Sequence, residues 1–146
     1  MQNLESSSTK NKKFKLDFKD SKYATGRRKR SIAKVWVKKG SGNIHVNGLK
    51  MNEYFKRPVH QIIVTRPLEI SEVASNYDVK CSVKGGGLSG QAGAIILGIS
   101  KALIAHDENL KKSLKKDKLT TRDSRVVERK KYGHRKARRS FQFSKR

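Results

Sequence analysis

The stretch that decides the fold is residues 77–103, YDVKCSVKGGGLSGQAGAIILGISKAL. Apolar and polar residues alternate from Tyr77 to Val83, which predicts a strand with one buried face. A glycine-rich turn follows. Apolar residues then recur at spacings of three and four from Leu88 to Leu103, which predicts an amphipathic helix. Strand, tight turn and helix in succession indicate a domain that combines a sheet with helices.

The small residues of this stretch carry further information. Gly93 and Gly98 each cost about 1 kcal/mol of helix propensity relative to alanine, so their presence predicts that another element packs closely on the helix. Ser89 is the expected N-cap. Cys81 is the single cysteine of the chain and lies on the apolar side of the strand, so we expect a small buried residue and no intramolecular disulfide.

The glycine-rich turn has the spacing G-x-G-x-x-G of a dinucleotide-binding turn. Such a site also needs an acidic residue at the end of a second strand about 20 residues on, and no apolar strand precedes Asp107. A P-loop is excluded because Gln91 stands where a lysine is required. Backbone N–H groups at a helix N-terminus still attract phosphate, although a tight turn without a ligand is the alternative. The predicted phosphate contacts are Lys84, Gly85, Gly86 and Gly87.

Upstream of this stretch, alternating residues predict two more strands. The first covers Ile32–Val37 and the second covers Asn43–Asn47, with a glycine-rich turn between them. Two strands around such a turn predict a hairpin. A short helix is expected at Met51–Phe55, before Pro58. The run Gln61–Val64 is apolar but short.

The ends of the chain differ from its middle. Residues 1–22 are polar and charged and are expected to be a disordered or extended N-terminal extension. An edge strand at Phe14–Phe18 is the alternative there. Residues 23–120 are expected to form one globular α/β domain, with a last, exposed helix at 107–118. Residues 121–146, the C-terminal tail, carry eleven basic and two acidic residues and are expected to form an extended arm.

Charge points to the class of partner. The chain of 146 residues holds 36 Lys and Arg against 12 Asp and Glu, a formal net charge of +24. A polyanion relieves repulsion of that size, and nucleic acids are the obvious polyanions. An anionic membrane surface is the second candidate, but no stretch approaches the roughly 20 apolar residues of a membrane span. We therefore expect a nucleic-acid partner and no membrane.

Basic side chains interleaved with aromatic residues are typical of RNA-binding segments, because cations hold phosphates while rings stack on bases. The run Arg27–Arg30, here called the basic turn, precedes a strand and is predicted to contact phosphate. The arginines from Arg122 to Arg129 recur at spacings of three and four, which predicts one face of a helical turn. The predicted RNA-binding residues outside the glycine turn are Arg27, Arg28, Lys29, Arg30, Arg122, Arg125, Arg129, Lys130, Lys131, Tyr132, Arg135, Lys136, Arg138 and Arg139.

Nothing in the sequence indicates enzyme chemistry. The four histidines show no ligand spacing with each other or with Cys81. We therefore expect no catalytic residue, no metal site and no cofactor beyond the structural Mg²⁺ of an RNA. Two other functions stay open at this point: a free-standing nucleic-acid chaperone, and a nucleotide-dependent enzyme that uses residues 84–93 as a phosphate loop.

Five segments of the sequence, taken together, match the motifs of one known protein family. They are YATGRRK at 23–29, GNIHVNG at 42–48, VKGGGLSGQAGA at 83–94, TRDSR at 121–125 and ERKKYG at 128–133. These segments resemble the universal small-subunit ribosomal protein number nine, as found in bacteria and organelles. The resemblance covers about residues 23–146.

The resemblance implies an α+β fold. Its expected form is a two-layer sandwich of a four-stranded sheet with two helices on one face, similar to domain 2 of ribosomal protein S5, followed by an extended basic tail. It also implies a structural role in the head of the small ribosomal subunit, in contact with small-subunit ribosomal RNA and neighbouring head proteins, and no homo-oligomer. The implied compartment is the mitochondrial matrix or a bacterial cytoplasm.

The same resemblance assigns a role to the end of the chain. It implies that Ser144, Lys145 and Arg146 contact the anticodon stem-loop of peptidyl-site tRNA during translation. The chain departs from the family pattern at Ile96 and Leu97, where the family usually has arginine and then histidine. Apolar residues at these positions remove an RNA contact or create a patch for a partner protein.

Overall fold

The computed structural model describes residues 20–145, which form a mixed α and β structure. The elements are β1 (Lys22–Arg28), β2 (Ser31–Lys39), β3 (Ile44–Val46), β4 (Leu49–Lys50), α1 (Met51–Tyr54), α2 (Pro58–Ile70), β5 (Tyr77–Lys84), α3 (Leu88–His106) and α4 (Leu110–Lys116). The strands form one five-stranded sheet in the order β1-β2-β5-β3-β4. The expected α+β fold class is confirmed. The sheet has one strand more than expected because the two-residue strand β4 extends its edge.

Strand β5 lies in the centre of the sheet and separates two strands that the sequence predicts to be neighbours. It pairs antiparallel with β2 and parallel with β3, so the predicted hairpin of Ile32–Val37 with Asn43–Asn47 is wrong. The glycine-rich segment between β2 and β3 crosses the start of β5. There the Asp78 carboxylate accepts hydrogen bonds from the backbone N–H groups of Ser41 and Asn43, at 3.0 and 2.8 Å. These bonds hold the segment as a crossover instead of a hairpin turn.

Helix α3 covers the face of the sheet formed by β1, β2 and β5, and α2 packs beside it. Ile95, Ile99 and Leu103 of α3 are fully buried against the sheet. The closest approach is at Gly26 of β1, where an added Cβ would overlap the carbonyl oxygen of Ala94 in α3. The close packing predicted from the helix glycines is confirmed, because a Cβ at Gly93 would meet Arg28 of β1 and one at Gly98 would meet Val35 of β2.

Helix α3 is, by length and composition, the one helix within residues 20–145 that is able to cross a membrane. The expectation that no stretch approaches such a span was therefore too strong. More than half of that helix is buried inside the protein, as in the core helix of a globular domain.

Cys81 of β5 lies in the same core, confirming its predicted burial, and burial raises the pKa of its thiol.

Helix α2 is longer than the apolar run Gln61–Val64 suggests. Pro58 occupies the first turn, where its fixed φ and missing N–H are favourable.

The predicted Ser89 cap of α3 is wrong, because Gly87 holds the N-cap position. The Ser89 hydroxyl instead lies 3.0 Å from Nε2 of His60 in α2 and so links the two helices. The edge strand suggested at Phe14–Phe18 lies outside the described residues, as does most of the N-terminal extension.

Candidate nucleic-acid interface

The basic turn closes the hairpin of β1 and β2. Its first two residues belong to β1 and the next two form the turn, so the run precedes strand β2 as predicted and also follows a strand that the sequence pattern did not predict. Lys29 has a φ of 49°, which reverses the chain. Arg28 points to the helix side of the sheet, where its guanidinium lies 3.0 Å from the Asp123 carboxylate. The other three cations are exposed and face solvent, as a phosphate contact requires.

The glycine turn packs directly against the basic turn. The Gly85 carbonyl accepts hydrogen bonds from the Ser31 hydroxyl at 3.0 Å and from the Gln91 side-chain amide at 3.2 Å. Gly85 has a φ of 75°, and a Cβ there would lie 2.6 Å from the carbonyl oxygen of Arg30. Only glycine fits such a conformation at such a distance. The fold thus places two predicted phosphate-binding segments side by side.

The start of α3 adds to this positive surface. No side chain caps the helix, and the backbone N–H groups of a first helical turn carry the positive end of the helix dipole. Lys84 and Gly87, which flank the turn, are both exposed. The arrangement agrees with the phosphate contact predicted for this turn.

The described part of the C-terminal tail, residues 121–145, contains neither helix nor strand. The helical face predicted from Arg122 to Arg129 is therefore wrong. Val126 and Val127 are exposed, so this segment has no apolar side to bury. A short helix without tertiary packing is only marginally stable in water.

Acidic residues tie the tail to the core and to itself. Asp123 lies 3.0 Å from the Arg28 guanidinium and 2.9 Å from that of Arg125. Hydrogen bonds from Arg125, together with the charge of Arg28, hold the pKa of Asp123 far below its ordinary range. Further along, Arg138 donates two hydrogen bonds to Glu128, at 2.6 and 3.0 Å, which lower the pKa of that carboxyl. Three of the predicted RNA ligands, Arg28, Arg125 and Arg138, therefore form ion pairs within the protein.

The rest of the described tail is exposed apart from His134 and Ala137, which are half-buried. The guanidinium of Arg135 lies 5.3 Å from the centroid of the Phe141 ring, and the Tyr132 side chain is 93 % exposed. Ser144 and Lys145 are exposed, and Arg146 lies outside the described residues. The remaining exposed cations among the predicted ligands are Arg122, Arg129, Lys130, Lys131, Lys136 and Arg139.

The sequence that forms this basic surface matches a known protein family. The family model of ribosomal protein S9/S16 matches residues 26–146. The chain belongs to this family. The resemblance drawn from the sequence motifs is thereby confirmed, and the match includes the basic turn, the glycine turn and the whole tail.

As a member of the S9/S16 family, the chain is a structural component of the small ribosomal subunit that binds ribosomal RNA and neighbouring ribosomal proteins. The family is not enzymatic. Within residues 20–145 no three His, Cys, Asp or Glu side chains are grouped as metal ligands. Exposed Lys and Arg side chains of the kind found here are able to neutralise phosphates and release their counterions.

The face of the sheet opposite α3 carries further side chains suited to RNA. These residues of the S9/S16 protein were not among the predicted ligands. Tyr23 and Trp36 face each other across β1 and β2, with ring centroids 5.3 Å apart. Lys34 is exposed on the same face. The signal lay in β2, where buried residues alternate with these side chains, because successive residues of a strand point to opposite faces.

A groove of about 660 Å³ opens where α2, α3 and the first tail residues meet. Ile96 and Leu97, which are apolar where the resemblance implies basic residues, both line it. Arg27 and Arg28 of the basic turn contribute to its edge. The groove therefore adjoins the predicted RNA-binding surface but has a different chemistry.

Proposed function

We propose that this S9/S16 protein binds ribosomal RNA in the head of the small subunit and contacts peptidyl-site tRNA through the end of its C-terminal tail. The observation that supports the tRNA contact is the exposed, basic tail, which continues beyond its anchor at Asp123 without helix or strand. Extended at about 3.3 Å per residue, residues 124–146 can span up to about 75 Å. The end of the tail can therefore reach a ligand well away from the core.

The two parts of the interface have different tasks in this proposal. The exposed cations of the basic turn, the glycine turn and the first part of the tail hold ribosomal RNA by its phosphates. Ser144, Lys145 and Arg146 hold the anticodon stem-loop. A site that accepts every tRNA must contact the backbone and not the bases, since phosphate contacts carry no sequence information. Arginine suits this role because its guanidinium is always charged and binds phosphate with two parallel hydrogen bonds.

The proposal includes no cofactor of the protein's own, only the structural Mg²⁺ of the RNA, and a single copy of the chain in each subunit. Residues 1–22 form an extension, residues 23–120 the RNA-binding domain and residues 121–146 the tail. The small subunit concerned belongs to a mitochondrial or a bacterial ribosome, and both compartments fit the same contacts.

The tail contact is tested by the double variant Lys145→Ala/Arg146→Ala in otherwise intact small subunits. We expect normal assembly and a rate of tRNA dissociation from the peptidyl site raised about tenfold, as for a loss of about 1.4 kcal/mol. Assembly is followed by sedimentation and dissociation by filter binding of labelled tRNA.

The matched control is Lys111→Ala/Lys112→Ala, which removes the same charge from exposed positions on α4. It should leave the dissociation rate unchanged. Equal rates for the tail variant and the parent subunits would show that the tail end does not hold tRNA.

A further inference from the structure

The groove beside the basic turn combines an aliphatic floor with a cationic rim. Four aliphatic side chains line it, and among them Leu97 and Leu119 are buried while Ile63 and Ile96 are half-buried. Gly93 of α3, which the Arg28 side chain covers, completes the lining. A volume of about 660 Å³ lies within the range of protein cavities that bind specific ligands.

The aliphatic surface continues out of the groove along α2. Val59 and Ile62 are each 63 % exposed. Together with Ile63 and Arg66 they recur at spacings of three and four, which places them on neighbouring positions of the helix surface. Val59 and Ile62 thus extend the aliphatic lining of the groove onto the exposed surface of α2, where a partner can cover them.

The rim of the groove has an excess of positive charge. Arg27, Lys118 and Arg122 are exposed at its edge. Of the acids nearby, Asp123 is held by two arginines, and Asp117 lies 3.8 Å from Arg66, at the limit of an ion pair. A partner that covers the floor must therefore bring negative charge to the rim.

We propose that this groove docks a segment of a neighbouring ribosomal protein in which an aliphatic or aromatic side chain is flanked by Asp or Glu. The apolar side chain fills the floor, and the carboxylates pair with the rim arginines. This inference rests on the proposed function, because the partner is a component of the same small subunit.

Charge and chemistry favour this occupant over RNA. Bases are bound by stacking on aromatic rings or guanidinium planes and by hydrogen bonds to their edges. Among residues 20–145 no aromatic side chain lines the groove, and its exposed arginines stand at the rim while its floor is aliphatic. A base placed on four aliphatic side chains would leave its polar edge without partners, which is costly. An apolar side chain has no such cost there.

The chain's own segments are poor occupants. Residues 1–19 contain five lysines and two acids, so their charge matches the rim instead of complementing it. A second copy of the chain, with a net charge of +24, would be repelled.

The test places a photo-crosslinking residue on the patch, Ile62→p-benzoylphenylalanine, in the full chain within assembled small subunits. Sedimentation with the subunit is scored first and tests the proposed function. The subunit fraction is then irradiated, and the linked segment is identified by mass spectrometry. We expect a protein segment of net negative charge that is linked at or beside an apolar residue.

A link to a nucleotide, a link to a basic segment, or no link in assembled subunits would overturn the docking inference and leave the proposed function standing. If the chain does not sediment with the subunit, both fall. The same crosslinker at Leu49, which is exposed on β4 outside the groove lining, should not reach the segment linked from Ile62.

Charge variants test the rim separately. Arg66→Glu/Arg122→Glu should lower the crosslinking yield from Ile62 about tenfold, because reversed rim charges repel carboxylates. Lys101→Glu/Lys111→Glu makes the same change at exposed positions that do not line the groove and should leave the yield unchanged. Equal yields from the two double variants would contradict a docked acidic segment.

Discussion

In helix α3 most side chains are apolar and buried, whereas between residues 121 and 145 every side chain except Asp123, His134 and Ala137 is exposed. The two regions are held by different forces. The core is stabilised by apolar burial and close backbone packing, of which Gly26 against Ala94 is the extreme case. The tail is positioned by a few ion pairs on one carboxylate near its start and another further along. Substitutions should therefore change folding in the core and binding in the tail.

The largest effect is expected at Gly26. The substitution Gly26→Val places a side chain against the α3 backbone and should lower the free energy of unfolding by about 4 kcal/mol or prevent folding. Chemical denaturation followed by circular dichroism measures it. Gly87→Ser is the control, because a Cβ at Gly87 meets no atom within 4 Å and serine suits an N-cap. Comparable losses of stability for the two variants would contradict the packing of β1 on α3.

A pair of truncations compares the two regions directly. Ile99→Ala removes buried groups of the core and should cost about 3 kcal/mol of unfolding free energy. Val127→Ala removes an exposed side chain of the tail and should change it by less than about 0.5 kcal/mol. Denaturant midpoints of the two variants provide the measurement. A tail variant as damaging as the core variant would show that the tail is part of the fold.

The reverse pattern is expected for RNA binding. Arg135→Ala/Arg139→Ala should reduce the slope of log K against log salt by about 0.7 to 0.9 for each phosphate that the variant no longer neutralises, with no change in unfolding. Titrations of small-subunit ribosomal RNA at several salt concentrations give the slope. The exposed pair Lys111→Ala/Lys112→Ala on α4 serves as the control with equal charge. A slope that depends only on total charge would remove the special role of the tail.

The smallest effect concerns the anchor of the tail. The pKa of Asp123 is lowered in the folded state, so its ion pairs contribute stability above the ordinary aspartate pKa, about 4. That contribution is lost as the pH falls through the lowered value. The stability curves of the wild type and Asp123→Asn should differ slightly at pH 7, begin to converge below about pH 4, and meet only below the lowered pKa of Asp123. Curves for Asp123→Asn that stay parallel to the wild type throughout this pH range would contradict the anchor.

Sequence periodicity predicted those elements whose pattern lies within one continuous segment. β5 and α3 follow from alternation and from spacings of three and four, since each pattern lies within one element. The β2–β3 hairpin failed because sheet order depends on β5, which enters the chain only at Tyr77. Most of α2 was missed because its apolar run is short and Pro67 lies inside the helix, where proline normally argues against helix.

In the candidate interface, too, the sequence predicted local features but not the contacts between distant residues. Composition predicted which residues carry charge, but it did not predict which charges pair. Arg28 and Asp123 meet only because β1 and the start of the tail lie together in space. The spacing of Arg122 to Arg129 suggested a helix, but charge spacing without an apolar face gives no burial to stabilise one.

Hydrogen exchange of the chain, alone and within the small subunit, tests the central claim most directly. Core amides of β2, β5 and α3 should be protected in both states, because apolar packing holds them. Amides of residues 124–145 should exchange freely in the isolated chain and become protected only in the subunit, where RNA supplies the missing partner. Protection of the tail in the isolated chain, or free exchange of the tail within the subunit, would contradict a tail that is ordered by RNA.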